Sequence, residues 1–374
     1  MPVKDIFDKP FDEGTILKLE IFEKYFEEWL PTFIMGTYPK PIQVFDLFAG
    51  SGYDKNNIAG SPIRILEIIN KHRGNLSNKS KKVFLFFNDS DENKIDQLKI
   101  NVEAKTKELS LTSLVEIKFS SNNFRECFGL YRKELNNGCN LIFIDQNGFK
   151  EVDEKVFYFL INLDTTEFIF FISSSYIHRF ADAPEVQKHH PKFDFEKIKL
   201  SSRRSVHNTI CEEYHKYVPK SVTNFLLIPF SIMKDDKSNV YGLIFVCKHP
   251  LAADKFLHIV WNKNLINGNA NFDIDADLQK SQLHLFDGKK PTKIESFQNK
   301  LRESILAGSI KTNKDAYLFT LNQGHISQHA NEEIKRMKKE NKIIFDSSSS
   351  LVNYDKVIKE NRIIEYKLVK DETN

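Results

Sequence analysis

VFDLFAGSGYDKNNIAGSP, from Val44 to Pro62, decides how the rest of the chain is read. An apolar run ends in an acid, Asp46, and passes at once into a Gly-Ser-Gly turn and then a second small-residue turn, Gly60-Ser61-Pro62. A buried strand that breaks into glycines has two uses. It turns tightly into a helix with no further purpose, or it brings its backbone close to a small molecule. The flanking segments discriminate between these uses.

Outward from that stretch, short apolar runs recur at intervals: QVFDLF (43–48), VFLFFN (83–88), VEIKF (115–119), NLIFID (140–145) and EFIFFI (167–172). Each is nearly continuous in apolar residues, the pattern of strands covered on both faces of a parallel sheet. Helix-length segments separate them, among them SPIRILEIINKH, ENKIDQLKINVEAKTKEL and EVDEKVFYFLINL. Upstream, TILKLEIFEKYFEEWL (15–30) carries apolar residues at helical spacing. After residue 175 a polar stretch reads as a loop or small helical insertion. NFLLIPFSIM and VYGLIFVCKH follow, joined by the hairpin signal KDDKSN. The expected fold is an α/β, Rossmann-like sheet of the class I methyltransferase pattern, with parallel strands plus a terminal antiparallel hairpin.

The last part of the chain changes character. NGNANFDIDADLQKSQLHLFDGKKPT (267–292) is poor in large apolar residues and reads as a linker. Beyond it come a helix (KIESFQNKLRESILAGS), a shorter helix (TNKDAYLFTLNQG) and a basic helix running into a strand (HISQHANEEIKRMKKENKIIFD). RIIEYKLV closes the series as a final strand. That order describes a winged helix-turn-helix, with SSSS (347–350) as the wing tip. The expected division is therefore a sheet domain over 1–266, a linker over 267–292 and a winged-helix domain over 293–374. Net charge is +3 over 374 residues, yet residues 289–374 carry 17 Lys/Arg against 12 Asp/Glu. A basic tail on a near-neutral body points to a polyanion partner.

The composition excludes several classes. No run approaches the roughly 20 apolar residues that span a bilayer, and the N-terminal residues lack an apolar signal core. Four scattered cysteines form no CxxC, which suits free thiols in a reducing cytoplasm rather than a disulfide framework. His178, His189, His190 and His207 have no ligand spacing, so no metal is expected. No Ser-His-Asp or Cys-His constellation stands out, and no P-loop lysine follows the glycines.

In a doubly wound sheet, ligands sit beyond the C-terminal strand ends near the switch point. Phe48, Ala49, Gly50, Ser51 and Gly52 occupy that position, and their spacing departs from GxGxxG. Asp46 can meet an ammonium group, which fits the amino-acid end of S-adenosylmethionine better than a pyrophosphate. The second strand ends in Asp89 and Ser90, where a carboxylate can accept from ribose hydroxyls. The third ends in Asn122 and Asn123, with Phe124, suited to an adenine. The fourth ends in Asp145-Gln146-Asn147-Gly148, where a transferred methyl would emerge. There Asp145 and Asn147 are candidates to orient the acceptor. The bland alternative has each acid as a turn or cap residue, with Asp145 capping the helix near Glu151.

The combination FDEGTILKLEIFEKYFEEWL, FDLFAGSGYDKNNIAGSP, FFNDSD and FIDQNGF resembles the three-Cys-motif partner proteins, over nearly the whole chain. The resemblance implies a class I methyltransferase-like domain and a partner, a three-Cys-motif protein similar to radical S-adenosylmethionine enzymes. Asp46, Phe48, Ala49, Gly50 and Gly52 match the glycine turn, with Ser51 in place of the usual Pro. Gly60-Ser61-Pro62 matches the second signature, and Asp89 and Asp91 match the acidic pair. After the fourth strand the family has Asp-Pro-Phe/Tyr-Gly where this chain has Asp145-Gln146-Asn147-Gly148.

Two functions remain open at this level. One is an S-adenosylmethionine-dependent methyltransferase-like protein acting on, or recruited to, DNA or RNA. The other is a non-catalytic, cofactor-binding adaptor that delivers its partner through the winged helix. Lys18 reads as solvated. Arg179, Arg203 and Arg204 border the substrate side, where they are either phosphate contacts or ordinary surface charges. In the tail, Gln323, Gly324 and His325 form the turn before the recognition helix. Ser327, Gln328 and His329 lead that helix, and Lys335, Arg336, Lys338 and Lys339 face phosphate.

Overall fold

The structure is a computed structural model that describes residues 10–146, 148–233, 239–282 and 290–369. It divides into two compact units, Met1–Lys248 and His249–Asn374. The first holds a seven-stranded sheet of β1 (Ile42–Asp46), β2 (Val83–Asn88), β3 (Val115–Ser120), β4 (Cys139–Ile144), β5 (Thr166–Ile172), β6 (Leu226–Met233) and β7 (Val240–Cys247). Their order is β3-β2-β1-β4-β5-β7-β6. The first five are mutually parallel, and β7 runs antiparallel to both β5 and β6. This is the expected Rossmann-like sheet with its terminal antiparallel pair. Most of the KDDKSN connection lies outside the described residues.

Near-continuous apolar strands reflect helices on both faces. On β5, alternate residues serve opposite layers, as the two-residue strand period requires. Tyr25 of the first helix (Glu13–Met35) donates to Glu167, and Lys18 lies 4.4 Å from the Phe171 ring centroid. Phe157, from the Glu154–Asn162 helix on the other side, packs on Phe168 and Phe170 at 5.7 and 6.4 Å. The first helix is also stacked on β4 through Phe22 and Phe143, 4.3 Å apart. It begins at Asp12, whose carboxylate accepts from Thr15 N–H, and continues five residues past the sequence-based limit of Leu30.

The stretch between β5 and β6 is built from short helices around buried histidines. His207 donates from Nε2 to Leu243 O and accepts on Nδ1 from the Ser174 hydroxyl. Burial pushes it down to about 4, so it is a neutral core residue. Gly242 leaves room for that ring, since a Cβ there would sit 2.5 Å from His207 Nε2 and 2.3 Å from Phe230 O. All four cysteines are buried and free. Among the described residues no helix is long and apolar enough to cross a membrane, and no group of three His, Cys, Asp or Glu could hold a metal ion.

In the second unit, helices Lys293–Leu306, Asn313–Asn322 and Ser327–Lys339 precede β8 (Ile343–Ile344), which pairs antiparallel with β9 (Lys367–Leu368). Capping boxes start the first two, Thr292 with Glu295 and Thr312 with Asp315. The helix Pro250–Lys263 belongs to this unit, so the boundary lies ahead of the 266/267 position read from the sequence. Within the 267–292 stretch, Asp277–Gln282 is helical.

The wing departs from a simple hairpin. Two buried or half-buried amides hold the segment between β8 and β9 against the helices. Asn331 donates to Val352 O and accepts from Val352 N–H. Asn313 donates to Leu351 O and Arg362 O and accepts from Ile364 N–H. Ser350 is consequently buried rather than at an exposed tip, and the final strand shrinks to two residues.

Candidate functional site

The turn after β1 is organised by one buried carboxylate. Asp46 is 0% exposed; its Oδ2 accepts from Ser61 Oγ at 2.5 Å and its Oδ1 from Phe48 N–H at 3.3 Å. Ser61 opens the Ser61–Lys71 helix, with Pro62 in its first turn. The second small-residue signature thus ties back to the strand end of the first. Gly50 and Gly52 have φ of +62° and +92°, the left-handed region that glycine enters freely. Gly52 is further confined, because a Cβ would lie 3.0 Å from Leu98 Cδ1. Ala49 is buried, and Ser51 donates to Tyr53 O.

Asp54, which the sequence reading passed over, fastens the same loop. It accepts from Phe11 N–H at 2.7 Å and from Asn56 and Ile58 N–H at 2.8 Å each. Burial opposes its charge, yet the three donors outweigh it and hold the carboxyl below its ordinary value. Residues 10–12 are thereby drawn against the β1 turn, and the start of the first helix with them.

The ends of β2 and β3 are linked by Asn88. It donates to Leu47 O and Asn122 O and accepts from Ser120 Oγ and Asn122 N–H. Asp89 is half-buried and accepts from Gly50 N–H at 3.1 Å and Asp91 N–H at 3.0 Å, while Ser90 beside it is exposed. Asp91 caps the next helix. Phe48 stacks on Phe124 at 5.6 Å. Asn122 is half-buried, and Asn123 is exposed and caps the Phe124–Leu130 helix. Glycine turn, half-buried Asp89, Phe48 and Asn122 thus meet beside the switch between β1 and β4. A carboxylate with spare lone pairs next to an aromatic face suits a nucleoside, so the residues present fit the adenosine part of S-adenosylmethionine. Asp46 lies beneath them, closed over by Ser61 and the Phe48 amide.

At the end of β4, Asp145 forms an ion pair with Lys18 at 2.6 Å, and its other oxygen is 2.8 Å from the same ammonium. The expectation of a solvated Lys18 therefore fails. Helical spacing from Asp12 turns Lys18 toward the sheet, where Phe171 and Asp145 receive it. The alternative in which Asp145 caps a helix fails too, because Asp153 caps the Glu154–Asn162 helix. Gln146 instead spans the gap, accepting from Glu151 N–H and donating to Phe171 O. Asn147 lies outside the described residues. Lys18, Asp145, Gln146, Gly148, Phe149, Phe171, Tyr176 and Arg179 help line a cavity of about 690 Å³. Of the other sequence candidates, His190 is buried, donating to Phe149 O and pushed down to about 4 by burial.

In the winged unit, His325 and His329 do not lead toward a partner as the sequence suggested. They are buried, one Nδ1 bonded to the other at 3.0 Å, with His325 stacked on Phe297 and His329 edge-on to Trp261. His329 lies on the buried face of the Ser327–Lys339 helix, and His325 reaches it from the turn that precedes that helix. Lys338 is likewise diverted, donating to Ser347 O at 2.8 Å and lying over the Phe345 ring. Gln328, Lys335, Arg336 and Lys339 remain on the exposed face, with Arg336 paired to Glu333.

Residues 273–350 match the family model of the GMT-like wHTH domain. Among solved structures, the chain is similar to the methyltransferase domain of bacterial CtHen1-C. The two are 10% identical over 60% of this chain and 97% of that chain, with a TM-score of 0.30. No curated protein matches. The strand order and the matched domain together describe a methyltransferase-like Rossmann sheet followed by a winged helix-turn-helix.

Burial raises Asp46 from its ordinary 3.8 to about 7, against the opposing Ser61 and Phe48 hydrogen bonds, and nearby Asp145 and Asp89 add to the rise. A carboxyl raised on folding holds its proton in the native state where the unfolded chain has lost it. Its stabilising contribution is complete below about pH 4 and declines as pH rises to about 7. Denaturation of wild type beside Asp46→Asn at pH 4.5 and 7.5 checks this. The variant should gain on wild type by a few kcal/mol at the higher pH. A stability difference independent of pH contradicts a buried, proton-holding Asp46.

Proposed function

We propose that the chain is an S-adenosylmethionine-dependent methyltransferase-like protein acting on nucleic acid, working with a three-Cys-motif, radical S-adenosylmethionine-like partner. One observation carries the reading. Strand ends β1, β2 and β4 bring Asp46, Asp89 and Asp145 near enough that the other two raise the proton affinity of Asp46. Asp46 and Asp145 are each answered by protein groups, Ser61 and Lys18, whereas half-buried Asp89 keeps carboxylate lone pairs beside the glycine turn and the Phe48 ring, where the hydroxyls of a bound nucleoside would meet them.

In this reading Asp89 accepts from the ribose hydroxyls, and Gly50, Ser51 and Gly52 let the backbone come close. Phe48 and Ala49 face the adenine with Asn122 and Asn123, and Ser90 borders the rim. Asp46 balances the ammonium end from below. The bound cofactor supplies an electrophilic methyl group. Asp145, fixed in place by its ion pair with Lys18, orients the acceptor's lone pair and accepts its hydrogen bond, and Asn147 adds a second acceptor. Such orienting groups typically contribute about 10²–10⁴-fold in rate. The recruitment surface is the exposed Gln328, Lys335, Arg336 and Lys339 face. The cytoplasm is the compartment that four free thiols suit.

The adaptor reading has one observation in its favour, the neutralisation of Asp145 by Lys18 at 2.6 Å. Two measurements separate the readings. Calorimetry should detect S-adenosylhomocysteine binding that Asp89→Ala weakens about tenfold or more, the loss of charge-assisted hydrogen bonds. Radiolabelled methyl transfer to cellular DNA, RNA and protein fractions should fall at least a hundredfold in Asp145→Asn while cofactor affinity holds. Equal affinity in Asp89→Ala contradicts the cofactor site, and cofactor binding with no labelling of any fraction decides for the adaptor.

Duplex binding by the full chain should weaken steeply as salt rises, because each neutralised phosphate releases counterions. Replacing Lys335 and Lys339 by Glu should flatten that slope by about one unit per removed contact. Binding that is insensitive to salt and to these changes contradicts a phosphate-gripping helix.

A further inference from the structure

The cavity beyond β4 and β5 has an aromatic wall that the cofactor site does not use. Phe149 follows Gly148 (φ +119°, with nothing within 4 Å of an added Cβ), and its ring stacks on Tyr176 at 5.5 Å and 25°. Tyr176 is 47% exposed, and Phe180 beyond it, 4.7 Å away, is 40% exposed. The wall is anchored from behind: Ser173 N–H donates to Gly148 O, and His190 Nε2 donates to Phe149 O. Solvent-facing aromatic rings on a fixed backbone offer a planar surface already paid for by the fold.

The lining carries Lys18, Lys150 and Arg179 against Asp12 and Asp145. Asp145 pairs with Lys18, and Asp12 is turned to the Thr15 N–H as a helix cap, which leaves the two cations of the rim facing the opening. At the rim stand Lys150, whose side chain is 58% exposed, and Arg179, which donates to Asn239 Oδ1 at 3.0 Å. Arg179 keeps other guanidinium N–H groups to offer, and Lys150 lies 3.7 Å from Glu151, a loose pairing. About 690 Å³ is room for a nucleotide but far too little for a duplex.

We infer that this cavity binds one unpaired nucleotide, single-stranded or extruded from a duplex, with its base on the Phe149–Tyr176 wall and its phosphate at Arg179 and Lys150. An aromatic face accepts any base, and a guanidinium matches phosphate in two hydrogen bonds. A cationic peptide side chain would meet repulsion from the same two residues. The base then points inward to Asp145 and the Lys18 pair, on the side where the proposed methyl donor's reactive end lies. The inference takes its catalytic sense from the methyl-transfer reading, but the binding site stands on the wall and rim alone.

A single-stranded tetranucleotide carrying 2-aminopurine at its second position tests it, titrated with the full chain. Stacking should quench the fluorescence. Tyr176→Ala should weaken binding about tenfold and remove the quench, Tyr176→Phe should restore both, and Arg179→Gln should reduce the salt dependence. S-adenosylhomocysteine affinity should stay constant throughout, since neither residue lies at the glycine turn. Quenching without cofactor binding keeps the nucleotide site and removes the methyl-transfer reading. Cofactor binding with no quenching, or with quenching unchanged in Tyr176→Ala, overturns the nucleotide site. Methyl label confined to the protein fraction overturns it in favour of a peptide.

Discussion

A carboxyl group sealed at the end of β1 is the constraint on which the site depends. Asp46 cannot be hydrated, so its oxygens must be met by protein donors, and the Ser61 hydroxyl and the Phe48 amide are those donors. Meeting them fixes where the following helix begins and how the backbone leaves the strand. Gly50 and Gly52 then take left-handed conformations, and Gly50 N–H falls within 3.1 Å of Asp89. A helix start, a loop path and a neighbouring strand end are thus set by one buried acid. Its raised proton affinity records the cost of that burial.

The same logic runs on the acceptor side with a different outcome. There the acid, Asp145, is matched by a full positive charge delivered from the first helix. Asp54 controls where that helix starts by taking Phe11 N–H, and Asp12 then caps it. The Asp145-Gln146-Asn147-Gly148 stretch after β4 holds no proline, and Gln146 braces it by bridging Glu151 N–H and Phe171 O.

The sheet was legible because five apolar runs of strand length alternate with helical segments, and β2 matches its run residue for residue. Strand ends were legible for the same reason, since an acid closing an apolar run marks the edge where ligands bind. Contacts between segments distant in sequence were not. Lys18 reaches Asp145 across 127 residues, and local pattern sees only a lysine on a helix. His325 in the turn and His329 in the helix after it had the polar look of partner-facing residues, yet both lie in the core against Trp261 and Phe297. A clue was present for His329, since Ala330, Ile334 and Met337 are buried on the same helix. The wing was misjudged because single side chains, Asn313 and Asn331, fold its connection inward.

The central claim is that the strand-end acids and the glycine turn form a site for S-adenosylmethionine. Ultraviolet cross-linking of methyl-labelled S-adenosylmethionine to the full chain, followed by peptide mapping, tests it most directly. The account predicts label on the peptides containing Phe48 and Phe124, displaced by unlabelled S-adenosylhomocysteine. Label on the winged unit, or no displaceable label, would contradict it.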